Sequence, residues 1–280
     1  MPTIITIESL DHEGARPYAH LTEPQLRNRL EPEAGLFIAE SAKVIRVALD
    51  HGLQPLSLLT ERRHLPQAIA LLDGCRDEVP IYTAEAGLLE SLTGYRLSRG
   101  VLAAMHRPGQ RKAEEVCSTA TRIAVVDGVA NATNIGTIFR AAAALDFDAV
   151  LLSPTCCDPL NRRSVRVSMG TLFQVPWAVI GDDRAPWPER AIDQLHHWGF
   201  TTIALALRPE ARRIDDPLLA ATPRVAVLLG SEGDGLPQAA IDRCHHVAHI
   251  PMANGVDSLN VAAAAAVAFW QLRKEGQKEL

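Results

Sequence analysis

The second half of the chain carries the pattern that most limits its fold, namely short continuous apolar runs separated by helical stretches. An apolar run without alternation is typical of a strand buried on both faces, and such strands occur in parallel sheets covered by helices. The predicted strands cover residues 123–129, 149–154, 175–180, 201–207, 225–230 and 246–252. The predicted helices cover residues 134–146, 162–169, 189–199, 237–244 and 258–274. This region is therefore predicted to be an α/β domain with a mostly parallel sheet.

The first hundred residues show a smaller alternation of the same kind. Strands are predicted at 36–40, 55–60, 80–84 and 100–105, and helices at 42–52 and 66–74. A polar, charged segment that opens with Pro108 and Gly109 separates the two patterned regions. The division predicted from sequence is an N-terminal α/β domain at 1–106, a linker at 107–121 and a C-terminal domain at 122–280.

Composition narrows the class of protein. The chain has 280 residues, of which 47% are hydrophobic, and a formal net charge of −5, which argues against coating nucleic acid over its whole surface. Its five cysteines are odd in number and irregularly spaced, and the adjacent pair Cys156 and Cys157 does not match zinc-ligand spacing. We expect a cytoplasmic protein with no metal, no disulfide framework and no membrane segment.

Three unusual loops follow predicted strands, at the sheet edge where ligands bind in open parallel sheets. The first loop contains Asn131, Asn134, Gly136 and Arg140, after the strand at 123–129. Asn131 or Thr133 is a candidate helix cap. The segment by itself is better explained by a capped helix whose arginine makes an ordinary salt bridge.

The second loop follows the strand at 225–230 and is rich in glycine. Gly230, Gly233 and Gly235 allow the backbone to approach a ligand closely, whereas Glu232 and Asp234 would repel a phosphate. No lysine follows to complete a phosphate-binding loop. The loop therefore favours a cationic or neutral ligand, and its structural alternative is a tight turn between strand and helix.

The third loop precedes the last predicted helix and contributes Ser258 and Asn260. Taken alone, Ser258 is explained as a helix cap. Its placement beside two other unusual loops at one sheet edge favours a role in a shared site.

In this order, the segments N-x-x-N-x-G-x-x-x-R, L-L-G-S-E-G-D-G-L and I-P-M-x-x-G-x-x-S-L-N-V resemble the three motifs of the SpoU methyltransferases of the SPOUT superfamily. The resemblance covers residues 122–270. The N-terminal region is more loosely similar to the ribosomal-protein-like RNA-binding domain that many members carry. The chain departs from the family at Asn131-Ala132, where Asp-Pro is common, at Asn254, where glycine is usual, and at Ala262, where serine often stands.

The resemblance implies transfer of a methyl group from S-adenosylmethionine to a ribose 2′-hydroxyl in structured RNA, with ribosomal RNA favoured over transfer RNA. It implies a deep trefoil knot in the C-terminal domain, which general rules of chain connection would make improbable. It also implies a homodimer whose sites are completed near the subunit interface.

The resemblance also assigns roles to individual residues. Arg140 would stabilise the alkoxide that develops on the 2′-oxygen, with help from an RNA phosphate, and Asn134 would position the ribose. Three further residues would order the site: Glu232, Ser258 and Asn260. The residues expected to contact the cofactor are Leu207, Gly230, Ile250, Met252 and Leu259.

Two other classes of protein remain as alternatives. An ordinary dinucleotide-dependent enzyme would carry G-x-G-x-x-G after the first strand of its domain, whereas this chain has DGVANATNIG there. A non-catalytic RNA-binding protein that keeps the fold would have no need of all five polar residues assigned to the site.

Overall fold

The computed structural model describes residues 2–22, 30–75, 78–97, 100–181 and 186–274. The strands are β1 (Ile4–Thr6), β2 (Leu36–Glu40), β3 (Pro55–Glu61), β4 (Ile81–Ala84), β5 (Val101–His106), β6 (Arg122–Val126), β7 (Ala149–Leu152), β8 (Trp177–Val179), β9 (Thr201–Leu205), β10 (Arg212–Arg213), β11 (Val225–Leu229) and β12 (His246–His249). The α-helices are α1 (Ala42–Asp50), α2 (Leu65–Leu71), α3 (Ala86–Thr93), α4 (Ala113–Cys117), α5 (Ala132–Ala144), α6 (Arg162–Val167), α7 (Glu189–His197), α8 (Pro217–Ala220), α9 (Gln238–Arg243) and α10 (Val261–Leu272). Short 3-10 helices lie at Glu13–Tyr18, Arg62–His64 and Thr171–Phe173.

The chain forms two compact units. The first contains Met1–Gly109 together with Asp158–Phe173, and the second contains Gln110–Cys157 together with Gln174–Leu280. Each unit has its own sheet and its own cluster of buried apolar side chains.

The first unit has a mixed five-stranded sheet in the order β1-β4-β3-β5-β2. Strands β1, β4 and β3 run parallel, while β5 is antiparallel to both β3 and β2. The buried Tyr18 lies against this sheet, where its hydroxyl donates to the Ser57 carbonyl and accepts from the Ala104 amide. Strand β1 was not predicted because it has only three residues, two of them exposed, and gains its structure from pairing with β4.

Segment 158–173 packs with the first unit, whereas the division predicted from sequence placed it in the C-terminal domain. Arg162 explains this position. Its guanidinium donates to the Leu21 carbonyl at 2.8 Å and pairs with the buried Glu40 at 3.2 Å. It also lies 4.5 Å from the ring centroid of Tyr95. These partners lie far away in sequence, so local patterning gives no sign of them.

The second unit has a seven-stranded sheet in the order β10-β12-β9-β11-β6-β7-β8, and every neighbouring pair is parallel. The residues of β6, β7 and β11 are all buried, as continuous apolar runs predict. The predicted parallel α/β fold is confirmed for this unit. The sequence did not reveal β10, α4 or α8, which are only two to five residues long.

The strand order places the unusual loops together. From β6 the chain passes to β7 and β8 on one side, and then crosses to β9 on the other side, with β11 between β9 and β6. The loops that follow β6, β9, β11 and β12 consequently leave the same edge of the parallel sheet. A crevice is expected where the strand order reverses direction in this way.

Two further features concern the cysteines and the helices. None of the five cysteines forms a disulfide bond in the described structure. No helix within the described ranges is both long enough and apolar enough to span a lipid bilayer.

Candidate active site

A cavity of about 310 Å³ opens at the carboxyl edge of the second sheet, between the loops after β9, β11 and β12 and the start of α10. Cavities of this size hold small organic ligands. All five residues expected to contact a cofactor line it, namely Leu207, Gly230, Ile250, Met252 and Leu259. Glu232 and Ser258 line it as well.

The loop after β11 folds back tightly on itself to form one wall. Ser231 and Gly235 make an isolated antiparallel bridge, and Gly235 has a φ of +68°, in the left-handed region that favours glycine. A Cβ on Gly230 would lie 2.2 Å from the Gly235 carbonyl carbon. The two interpretations of this loop, a tight turn and a ligand site, are therefore compatible. The backbone that folds back at Gly230 and Gly235 also forms part of the cavity wall.

The loop after β12 forms the opposite wall. Asn254 and Gly255 have φ values of +58° and +72°. Asparagine is one of the few residues with a side chain that adopts this conformation readily, which accounts for its place where the family usually has glycine.

Asn260, rather than Ser258, caps the last helix. The Asn260 Oδ1 accepts from the amides of Ala262 at 3.0 Å and Ala263 at 3.3 Å. The interpretation of Ser258 as a cap is wrong, because the helix begins at Val261. Ser258 is exposed at the cavity wall.

The amide of Asn260 connects all three loops, because Asn260 lies in the third loop and contacts one residue of each of the other two. Because its oxygen is held by the helix amides, its Nδ2 points away and donates to Asn134 Oδ1 at 3.2 Å and to the Glu232 carboxylate. Asn134 is only 6% exposed, and its own Nδ2 is buried without a hydrogen-bond partner among the described residues. The structure thus joins three of the predicted residues and leaves one buried donor unused.

Within one chain, Arg140 is separated from the hydrogen-bonded group of Asn134, Glu232 and Asn260. It follows Asn134 by six residues on α5, which corresponds to a rotation of about 240° and a rise of about 9 Å. Arg140 is exposed and makes no hydrogen bond or ion pair with any described residue. The ordinary salt bridge considered from the sequence is therefore not formed, and Arg140 does not line the cavity.

The cavity has a negative character that matches the expectation for this glycine-rich loop. Carboxylates are contributed by Glu232, Asp234 and Asp257, while Arg208 is the one arginine or lysine among the described lining residues. The rest of the wall is largely aliphatic, with Leu205, Leu229 and Leu236 among its members. Such a wall suits a ligand with an apolar body and positive charge. Sequence reasoning missed Arg208, although it directly follows Leu207 at the end of the β9 run.

These features define a parallel α/β domain with a small-molecule site at the carboxyl edge of its sheet. Comparison with known proteins identifies its family. Residues 121–270 match the model of the SpoU rRNA methylase family. An uncharacterised tRNA/rRNA methyltransferase of Mycobacterium bovis is 38% identical over 242 residues, which cover 86% of this chain and 82% of that protein. A 23S rRNA (guanosine(2553)-2′-O)-methyltransferase of Bacillus subtilis is 25% identical over 268 residues, which cover 95% of this chain and 98% of that protein.

Solved structures show the same fold over nearly the whole chain. The SpoU methyltransferase AviRb from Streptomyces viridochromogenes, in complex with AdoMet, has a TM-score of 0.77 at 24% identity and covers 93% of this chain and 97% of its own. An AdoMet-bound rRNA methyltransferase from Sinorhizobium meliloti has a TM-score of 0.77 at 22% identity, and the match covers 96% of this chain and 97% of that protein. The chain belongs to the SpoU family of RNA methyltransferases. The family predicted from the three motifs is confirmed, and an ordinary dinucleotide-dependent enzyme is set aside.

Proposed function

We propose that this protein transfers a methyl group from S-adenosylmethionine to the ribose 2′-hydroxyl of a nucleotide in structured RNA. The observation that carries the proposal is the hydrogen-bonded group of Asn134, Asn260 and Glu232. Glu232 from this group also lines the cavity. Glu232 thus belongs both to the cavity and to the polar group proposed to bind a ribose.

The cavity fits S-adenosylmethionine in size and in charge. Aliphatic side chains and the backbone at Gly230 would enclose the adenosine part, while the carboxylates complement a sulfonium and an ammonium group. When bound, the cofactor supplies an electrophilic methyl group whose sulfur leaves as a neutral thioether. Transfer would form the bond from the 2′-oxygen to the methyl carbon and break the bond from sulfur to that carbon, and the hydroxyl proton would pass to solvent water.

Asn134 is proposed to position the ribose. Its Oδ1 is fixed by Asn260, and its unpaired Nδ2 is available to donate to a ribose oxygen once the site is filled. A buried donor without a partner costs about 1–3 kcal/mol. Binding of an acceptor would recover this cost, which favours a ligand with oxygen atoms at this place.

Arg140 is proposed to stabilise negative charge on the reacting oxygen. A guanidinium stays protonated at neutral pH, so it serves as a fixed positive charge and not as a base. By family resemblance a phosphate of the RNA assists it. Because no ion pair neutralises Arg140 within the described chain, its charge is available to an external anion.

We further propose a homodimer that completes each site near the subunit interface. Helices α5 and α10 pack side by side. Ala263, Val267 and Trp270 form an exposed stripe on α10 at helical spacing, with Trp270 57% exposed. Light scattering should give a mass of about twice 30.4 kDa, and Val267→Glu should reduce it. A monomeric wild-type protein with full activity would contradict this proposal.

The trefoil knot is part of the same proposal. Helix α10 follows β12 in sequence, yet it packs on α5, α8 and β11, which come earlier in the chain. This return of the chain agrees with a threaded C-terminal segment. An experimental chain trace of residues 225–272 without threading would exclude the knot.

The first unit is proposed to bind RNA, as the ribosomal-protein-like resemblance implies, and ribosomal RNA is the favoured substrate. The B. subtilis relative, a 23S rRNA methyltransferase, matches along 98% of its length, so the likeness includes the region outside the methylase family match. We propose that the protein acts in the cytoplasm, as its proposed RNA substrate and the composition of the chain suggest.

The experiment that tests the function is transfer of labelled methyl from S-adenosylmethionine to total bacterial RNA that lacks its native modifications. We expect a labelled 2′-O-methylnucleoside in one RNA species, identified by nucleoside analysis. Cofactor binding without transfer to free RNA or to ribosomal assembly intermediates would exclude the 2′-hydroxyl as acceptor. RNA binding without cofactor binding would establish the alternative of a non-catalytic RNA-binding protein.

A further inference from the structure

Arg208 is the unexplained charged residue of the cavity. It lines a wall that otherwise contributes three carboxylates, from Glu232, Asp234 and Asp257, yet it forms no ion pair with any of them. A cation beside carboxylates usually pairs with one of them when geometry allows. Arg208 therefore remains electrostatically available to an anion that enters the cavity.

The guanidinium of Arg208 is held in place by neutral partners. Its Nη2 donates to Gln238 Oε1 at 2.7 Å, and its Nη1 donates to the Leu207 carbonyl at 3.3 Å. Gln238 in turn donates to Asp242 Oδ1 at 2.6 Å, one turn further along α9. This chain of hydrogen bonds fixes one side of the guanidinium and leaves its Nε without an acceptor in the described structure.

This arrangement resembles a prepared carboxylate site. An arginine binds a carboxylate best through two parallel N–H donors, and prior fixation of the side chain lowers the entropy lost on binding. The carbonyl oxygens of Leu207 and Gln238 that hold Arg208 are neutral, so they leave its positive charge uncompensated. A carboxylate of the protein in their place would have neutralised that charge.

We propose that Arg208 binds the α-carboxylate of the methionine part of S-adenosylmethionine, with Gln238 as its positioning residue. This inference rests on the proposed function. At neutral pH the cofactor carries two positive groups, the sulfonium and the ammonium, and one negative group, the carboxylate. Three cavity carboxylates complement the first two groups, and Arg208 complements the third.

An RNA phosphate is the competing partner for Arg208. The carboxylates of Glu232, Asp234 and Asp257 line the same cavity, and all three side chains are exposed. They would repel a polyanion that approached Arg208 through the cavity opening. A small zwitterion that brings its own cations meets no such barrier, so the cofactor carboxylate is favoured.

The test compares two ligands that differ only in the carboxylate, S-adenosylmethionine and decarboxylated S-adenosylmethionine. Dissociation constants for both ligands are measured by calorimetry on the full chain without RNA, and the dissociation constant for RNA is measured separately without either ligand. We expect the wild-type protein to prefer the carboxylated ligand by about 10-fold to 100-fold, the range of a hydrogen bond to a charged group. Arg208→Ala should remove this preference and leave the affinity for the decarboxylated ligand nearly unchanged.

Two further variants sharpen the comparison. Gln238→Ala should reduce the preference only in part, because Arg208 keeps its charge and loses its orientation. Arg243→Ala removes an arginine from the same helix α9 whose partner is Asp193, outside the cavity lining, and should leave both affinities unchanged.

The outcomes are distinct. A wild-type protein that binds both ligands equally, or an Arg208→Ala variant that retains the preference, would overturn the carboxylate assignment. An equal loss of affinity for both ligands would mean that Arg208 only shapes the cavity, and a loss of RNA affinity alone would assign it to phosphate. Failure of the wild-type protein to bind either ligand would instead refute the proposed cofactor.

Discussion

Asn260 Nδ2 and Asn134 Oδ1 lie 3.2 Å apart, although 126 positions separate the two residues in the chain. The contact is possible because Asn260 caps α10 with its oxygen and thereby turns its nitrogen toward α5. One side chain thus links the start of the last helix to the helix that follows the first strand of this sheet. The geometry of the proposed ribose site depends on a helix cap.

This dual role of Asn260 gives a prediction that separates function from stability. Asn260→Ala should lower the free energy of unfolding by about 1 kcal/mol through loss of the cap. Asn260→Ser should keep the cap and hence the stability, because serine caps about as well as asparagine. Both variants should slow methyl transfer by about 10-fold to 100-fold, since a misplaced Asn134 misaligns the substrate. Urea denaturation and a methyl-transfer assay measure the two effects, and full activity of Asn260→Ser would refute the linking role.

Arg140 should matter for turnover and not for folding. It is exposed and unpaired within the described chain, so Arg140→Ala should change the free energy of unfolding by less than about 0.5 kcal/mol. Cofactor affinity should stay the same, because Arg140 does not line the cavity. Methyl transfer should fall by about 100-fold to 1,000-fold, as for loss of one oxyanion-stabilising donor. Equal single-turnover rates for variant and wild type would remove Arg140 from the mechanism.

Gly230 and Gly233 form a matched pair in the loop after β11. A Cβ on Gly230 would lie 2.2 Å from the Gly235 carbonyl carbon and 2.3 Å from the Leu236 nitrogen, whereas a Cβ on Gly233 would meet nothing within 4 Å. Gly230→Ala should therefore destabilise the second unit by about 1–3 kcal/mol and weaken cofactor binding severely. Gly233→Ala should leave both within about 0.5 kcal/mol of wild type. Thermal unfolding with and without cofactor checks both variants, and tolerance of Gly230→Ala would show that the loop is not tightly closed.

Stability should depend on pH through His196, which packs against His245. The pKa of His196 is lowered, first because burial disfavours its charged form and second because His245 lies 4.1 Å away between ring centroids. The charge of Arg243 adds to this effect, and that of Asp193 opposes it. Since the folded state binds the proton less well than the unfolded state, whose pKa is about 6.5, stability should fall as pH drops below that value.

The measurement is the midpoint of urea denaturation at pH 7.5 and at pH 5.5. His196→Gln should reduce the difference between the two midpoints. A smaller dependence should remain, because the pKa of His246 is also lowered, mainly by burial. An unchanged difference in the variant would assign the pH dependence to other groups.

The sequence was sufficient for features that repeat over short distances. Apolar runs predicted β6, β7, β9 and β11 within a few residues, because burial on both faces requires apolar side chains at successive positions. Strand β12 was also predicted, although it contains two histidines and is mostly half-buried. Since parallel strands present their carboxyl ends at one edge, the same runs placed the three unusual loops together. The residues expected to contact the cofactor consequently line one cavity.

Only the tertiary structure decided which side chains meet. Whether Ser258 or Asn260 caps α10 depends on the residue at which the chain turns into the helix, and both residue types cap well. The attachment of 158–173 to the first unit depends on Leu21, Glu40 and Tyr95, which no local pattern connects to Arg162. Hydrophobic periodicity predicts whether each position is buried or exposed. Which side chains touch each other also depends on the order of the strands and on the rotation of each helix about its axis. Those two quantities are fixed by packing of the whole domain and determine the site in which Asn134, Glu232 and Asn260 meet.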